Sequence, residues 1–282
     1  MTTSSRPAAA LGITRIARTA LVDDIAVSRG VVWVAAGGLV VGVDPVTRRS
    51  RAVPGIETSE PPVVRLAAGP GTVWAATTTG RRLLRIDPRS ARVATALSVP
   101  AEALAAAAHG VWTVCCSAGE RHGQLTRIDQ ASNRVAAAVR LPGRPAAVGV
   151  GPSGVWVRGA ANLLWRVDPA SNRVVATVRL PPSSPDPDEP GGGDVAVTSS
   201  GVWVSDPAAA TVWRIDPRRN QPTDDRWEAD GRDLAVAADG VVWATSDTRL
   251  LGLGGPEVRG PRRNLHELET SAISCVAAAP DG

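Results

Sequence analysis

The sequence predicts an all-β chain folded as a single β-propeller of four-stranded blades. Three observations carry that expectation. Trp33, Trp74, Trp112, Trp156, Trp203 and Trp243 each close a Gly-(x)-Val-Trp context, at intervals of 41, 38, 44, 47 and 40 residues, and a period of that size marks a repeat architecture. The first five are followed by an apolar-x-apolar-Asp signal: Val41 to Asp44, Leu84 to Asp87, Thr126 to Asp129, Trp165 to Asp168 and Trp213 to Asp216. Runs such as Arg173-Val174-Val175-Ala176-Thr177-Val178 are rich in β-branched residues and bounded by Pro, Gly, Asn and Asp, which is the signature of short strands.

Each unit reads as four strands, A to D in chain order. In the fourth unit A covers Ala146 to Val150, B Val155 to Arg158, C Leu163 to Val167 and D Arg173 to Leu180. A strand alternates its side chains between two faces, yet Val155-Trp156-Val157 is apolar on both. Both faces must therefore be covered, as they are in a blade held between two neighbours. Ala101 to Ala108 has the composition of a helix, but its place in the repeat makes it strand A. Gly30, Gly71, Gly110, Gly154, Gly201 and Gly240 end the A–B hairpins, where tight reversals call for positive φ. In the C–D hairpins each Asp is expected to accept from backbone N–H groups two or three residues on, with Asn133 and Asn172 in the left-handed region. These Asp are turn formers, and the six Trp are wedges between blades.

Counting A strands gives seven: Ile25 to Ser28, Val63 to Ala67, Ala103 to Ala107, Ala146 to Val150, Val195 to Thr198, Leu234 to Ala237 and Ile273 to Ala278. Only six full B-C-D sets exist, and Ile13 to Leu21 resembles a C or D strand without its A and B. The expectation is seven blades, the seventh incomplete and shared by the two ends, since sharing removes exposed sheet edges. Six blades with extra strands, or a chain cut short at Gly282, are the alternatives. Residues 1–12 are expected to be a disordered tail and 13–282 the propeller.

Composition narrows the function classes. The chain has 282 residues, 44% apolar and 21% charged, which excludes a wholly disordered or collagen-like protein. No run approaches eighteen uncharged apolar residues, so no membrane partner is expected. The start lacks an unbroken apolar centre and cleavage site, and the three Cys include the adjacent Cys115 and Cys116; both point to the cytoplasm. A formal net charge of +4 with no Arg stretch longer than two does not make a nucleic-acid surface. Gly149-x-Gly151-x-x-Gly154 fits the dinucleotide fingerprint, but a strand follows where a helix must begin. No Gly-x-Ser-x-Gly, Cys-x-x-Cys or His-x-x-x-His occurs, so no catalytic or metal residue and no cofactor is assigned.

The pattern Gly154-Val155-Trp156-Val157, Arg166-Val167-Asp168-Pro169, Asn172-Arg173-Val174-Val175-Ala176-Thr177-Val178, repeated in part at 201–217, resembles the YncE and streptogramin-lyase-like group of bacterial β-propellers. The resemblance covers nearly the whole chain from Ile13. It implies a seven-bladed propeller, often of no known activity, whose enzymatic member, virginiamycin B lyase, uses clustered His and Glu with a divalent metal near the channel. Here the only His are His109 in an A–B turn, His122 in a B–C loop and His266 on a D strand. The expected function is a non-catalytic binding or interaction module, monomeric, with a peptide, protein or small ligand as partner; a metal-dependent lyase is the alternative.

Any ligand is expected on the face formed by the D–A and B–C loops, which vary in length while the opposite turns are uniformly short. The B–C loop of the third unit, Ser117 to Gly123, carries Arg121 and His122, and two D–A segments are long, Pro181 to Gly193 and Gln221 to Gly231. Asp23, Asp24, Arg65, Glu102, Asp194 and Asp233 lie at the entry ends of A strands and should ring the channel mouth, where they could attract a cation or basic peptide or merely cap the incoming turns. Trp227, beside Arg226, stands outside the Trp column, either as an exposed anchor or as packing on the rim.

Overall fold

The computed structural model describes residues 22–56, 64–77, 82–108, 110–116, 122–160, 162–181, 192–229, 231–237, 240–246, 249–253 and 267–269. These form six four-stranded sheets, each an antiparallel meander in chain order. The first holds β1 (Val22–Ser28), β2 (Val31–Ala36), β3 (Leu39–Val43) and β4 (Ser50–Ala52); the second β5 (Val64–Gly69), β6 (Thr72–Thr77), β7 (Arg82–Asp87) and β8 (Arg92–Leu97). The third holds β9 (Ala103–Ala107), β10 (Gly110–Cys116), β11 (Gly123–Asp129) and β12 (Arg134–Arg140); the fourth β13 (Pro145–Gly151), β14 (Gly154–Gly159), β15 (Leu163–Asp168) and β16 (Arg173–Arg179). The fifth holds β17 (Val195–Val197), β18 (Val202–Asp206), β19 (Thr211–Asp216) and β20 (Gln221–Glu228); the sixth β21 (Leu234–Val236), β22 (Val242–Ser246), β23 (Arg249–Leu253) and β24 (Glu267–Glu269).

Among the described residues the blades number six, not the seven expected. The sixth sheet takes its outer strand from Glu267–Glu269, its own downstream sequence, and not from the N-terminus. Ile273 to Ala278, the tail 1–12 and the strand-like 13–21 lie outside the described residues. Counting A-like patterns measures how often a local motif recurs, whereas the blade number depends on which strands find hydrogen-bonding partners. A second correction concerns 221–231: Gln221–Glu228 is not a loop but the outer strand β20, paired along β19 from Thr211↔Glu228 to Asp216↔Gln221.

The repeated Trp are wedges. Trp33, Trp74, Trp112, Trp156 and Trp203 are at most 2% exposed, and each packs into the seam between its own blade and the next: Trp33 with Leu66, Trp74 with Val111, Trp112 with Val155, Trp156 with Val202 and Trp203 with Leu234. Trp243 is half-buried. In the C–D turns Asp44, Asp87, Asp129, Asp168 and Asp216 accept from N–H groups two or three residues on, as turn chemistry requires. The residue four after each Asp is left-handed, with φ of 57° at Arg48, 52° at Ala91, 55° at Asn133, 54° at Asn172 and 52° at Asn220.

Asn133 combines that backbone role with a hydrogen bond accepted from Arg85 Nη1 at 2.7 Å. Asn133→Gly should cost about 1.5 kcal/mol, the lost bond to a charged donor. Asn133→Ala should cost a further ~1 kcal/mol, because its Cβ opposes the left-handed conformation that Gly adopts freely. Urea unfolding of the two variants checks the difference.

Candidate functional site

The six inner strands β1, β5, β9, β13, β17 and β21 line one central cavity of about 680 Å³. Six strands converging on an axis leave room only for short side chains. At Gly149 even a Cβ would collide with the Val195 carbonyl oxygen of the next blade. That close approach, not a phosphate, accounts for the glycine fingerprint. The channel wall is built of Ala, Val, Leu, Ile and Gly, and its charged members are Asp23, Asp24, Arg65, Glu102, Asp194, Arg232 and Asp233. All seven sit at the first residues of an inner strand or just before it, so the structure gathers them at one end. Five carboxylates and two guanidinium groups stand there.

Two of these carboxylates tie neighbouring blades together. Asp24 Oδ1 accepts from the Ile25 N–H at 2.8 Å and Oδ2 from the Leu66 N–H of the second blade at 2.8 Å. Asp194 does the same one seam before the last: Oδ1 accepts from Val195 N–H at 2.7 Å and Oδ2 from Leu234 N–H of the sixth blade at 3.0 Å. Glu102 Oε1 accepts from the Cys116 N–H at 3.2 Å. The Asp194 and Asp233 N–H groups donate to the Ser205 and Thr245 hydroxyls. Arg65 is exposed, its Nη1 reaching the Asp23 carbonyl oxygen at 3.4 Å. Desolvation pushes the Asp24 carboxyl up to about 6; the Leu66 N–H bond, Arg65 and the Ile25 N–H bond oppose it, and Asp194 adds to it. Desolvation also raises Asp23, against the attraction of Arg65.

The remaining sequence candidates are elsewhere. Trp227 is 5% exposed in the fifth-to-sixth seam, its ring centroid 4.5 Å from that of Trp203; the packing role is the one it has. Arg226 is exposed on the same outer strand, its guanidinium 5.9 Å from the Trp213 ring centroid, with two strands between it and the channel wall. His122 is exposed at the start of β11's hairpin, Nδ1 lying 3.1 Å from the Pro142 carbonyl oxygen. Arg121, His109, His266 and residues 182–191 lie outside the described residues.

Sequence reasoning missed two features. Arg232 joins the mouth, and its position immediately before Asp233 in a strand-entry segment was the available signal. Arg158 and Asp206 form a fully buried ion pair, Nη2 to Oδ2 at 3.5 Å, across the fourth-to-fifth seam. Burial lowers the Arg158 pKa, and Asp206 opposes that shift. The signal was positional: two residues after the repeated Trp, the other blades carry Ala35, Ala76, Val114, Ser205 and Thr245.

Among the described residues, no group of three or more His, Cys, Asp and Glu is placed to hold a metal ion, and no helix is long and apolar enough to cross a membrane. No protein-family model and no curated protein matches the chain. Solved structures do. A catalytically inactive virginiamycin B lyase from Staphylococcus aureus with quinupristin is 14% identical, with a TM-score of 0.65 over 85% of this chain and 83% of that one. The Kuenenia stuttgartiensis hydrazine synthase is 16% identical, TM-score 0.66, over 93% and 90%. The Myceliophteria thermophila Cps50 (Swd1) β-propeller domain is 11% identical, TM-score 0.67, over 94% and 91%. The chain is a β-propeller. Identities this low show the propeller fold alone.

Two substitutions separate clasp from core in this propeller. Trp227→Ala should cost about 3–5 kcal/mol, the range for truncating a buried Trp. Asp194→Ala should cost roughly 1–3 kcal/mol by leaving the Val195 and Leu234 N–H groups short of an acceptor. Guanidinium unfolding midpoints measure both.

Proposed function

We propose that this propeller is a non-catalytic binding module whose site is the channel mouth, and that its ligand carries a cationic group on an apolar stem. One observation carries the reading: five carboxylates against two guanidinium groups stand at the end of a channel otherwise lined by Ala, Val, Leu, Ile and Gly residues. A low-dielectric funnel lined by one sign of charge concentrates ions of the other sign. The apolar wall behind it accepts a hydrocarbon stem, at roughly 25 cal/mol for each Å² removed from water. The carboxylates are spread over four of the six strand entries, which suits an ammonium or guanidinium group better than a bare metal ion. A metal-dependent lyase draws only on the likeness of fold, and would show as a rise in melting midpoint with Mg²⁺ that a chelator reverses.

The probe is n-hexylammonium, with hexan-1-ol as its uncharged counterpart, titrated calorimetrically at low salt. The ammonium should bind and the alcohol should not, and binding should weaken as NaCl is added. Glu102→Gln with Asp233→Asn should reduce affinity roughly tenfold, ~1.4 kcal/mol, with the fold intact by circular dichroism. Equal binding of the alcohol, or an unchanged affinity in the double variant, overturns the reading.

A further inference from the structure

We propose that Asp24 makes the channel mouth a proton-sensitive switch: proton uptake there neutralises one of the five carboxylates and weakens the carboxylate bridge between the first and second blades. The geometry is that of a joint. One oxygen is held by the Ile25 N–H of its own strand, the other by the Leu66 N–H of the neighbouring blade, both at 2.8 Å. A carboxylate accepts both bonds at full strength. A carboxylic acid turns one of those oxygens into a hydroxyl, so one of the two bonds is weakened.

The charges around it are lopsided. On its own strand stands Asp23, from β5 comes Arg65, and from the entry to β17 comes Asp194, with Glu102, Arg232 and Asp233 on the same wall. Arg65, the cation nearest in the chain to this joint, is exposed and bonded to the Asp23 carbonyl, so it compensates the joint only in part. Loss of hydration is the largest influence, and Asp194 reinforces it. Together they bring the carboxyl to about 6, within reach of modest acidification. The sign follows. With a folded value above the unfolded 3.8, relief of the desolvated charge outweighs the weakened bridge, so this group's contribution to stability is complete below about 3.8 and is lost as pH rises through about 6.

The switch is read by ¹H–¹⁵N spectra of the full chain between pH 4.5 and 8, without any ligand, so its outcome stands apart from that of the hexylammonium titration. The Leu66 and Ile25 amide signals should move together with one midpoint near 6. Asp24→Asn, which keeps an acceptor but cannot ionise, should abolish that titration. Asp194→Asn should lower the midpoint by removing a repelling charge, and Arg65→Gln should raise it by removing an attracting one. These two variants also serve if Asp24→Asn does not fold. Amide signals that stay flat between pH 5 and 7, that titrate unchanged in Asp24→Asn, or whose midpoint is indifferent to both neighbours, overturn the proposal.

Discussion

An arginine lying over a buried tryptophan, and reaching from there into the next blade, is the contact that laces the middle blades of the propeller together. Trp74, Trp112, Trp156 and Trp203 stand directly across the β-ladder from Arg85, Arg127, Arg166 and Arg214, with guanidinium-to-ring distances of 6.0, 5.4, 5.4 and 5.7 Å. Three of these Arg then donate to the C–D turn of the following blade: Arg85 to the Gln130 carbonyl, Arg127 to that of Pro169 and Arg166 to that of Pro217. Lysine could not do both, because the planar fork is what allows stacking and directed donation at once. Arg214 bonds within its own blade, to Asp225 and the Ser200 carbonyl, where the sixth blade lacks an Asp-Pro turn. In the first and last blades the partner across from Trp is Gly42 or Gly252. The lacing therefore belongs to the middle of the chain.

The two faces are joined by opposite charges. Arginines bind the turns on one face, while Asp24 and Asp194 bridge blades at the other. An ionised group whose bonds go to backbone N–H is strongly held, but it also leaves net negative charge at the rim of an apolar channel. The same residues thus serve assembly and give the mouth its sign, which is why a stability effect and a binding effect must be measured separately at each of them. The buried Arg158–Asp206 pair differs in kind. Removing either partner would strand a charge in the fourth-to-fifth seam, which makes it intolerant of single substitution without making it a strong source of stability.

Much of this is legible in the sequence. The C–D turns are local chemistry, an Asp carboxylate meeting N–H groups of its own turn, so Asp129 and Asp168 could be read from a few residues of sequence. The gathering of Asp23, Asp24, Arg65, Glu102, Asp194 and Asp233 at one end followed from their shared repeat position. Trp227 was harder, because Gln221-Pro222-Thr223-Asp224-Asp225-Arg226 has the composition of a loop; pairing to β19 overrides that composition and turns the indole inward. Arg158 gave little warning because its neighbours in sequence do not bury it; the next blade does.

The chain by itself determined the repeat, the four-strand unit, the turn chemistry and the end of the inner strands that carries the acidic residues, since each of these depends on residues close together in sequence. Tertiary structure decided what depends on partners far apart: six sheets in place of seven, the carboxylates that cap no turn of their own but clasp the next blade, the Trp that is packing and not an anchor, and the half-dry setting that lifts Asp24 toward neutrality. Hydrogen-bond partners and hydration are properties of the assembled ring, and no local pattern encodes them.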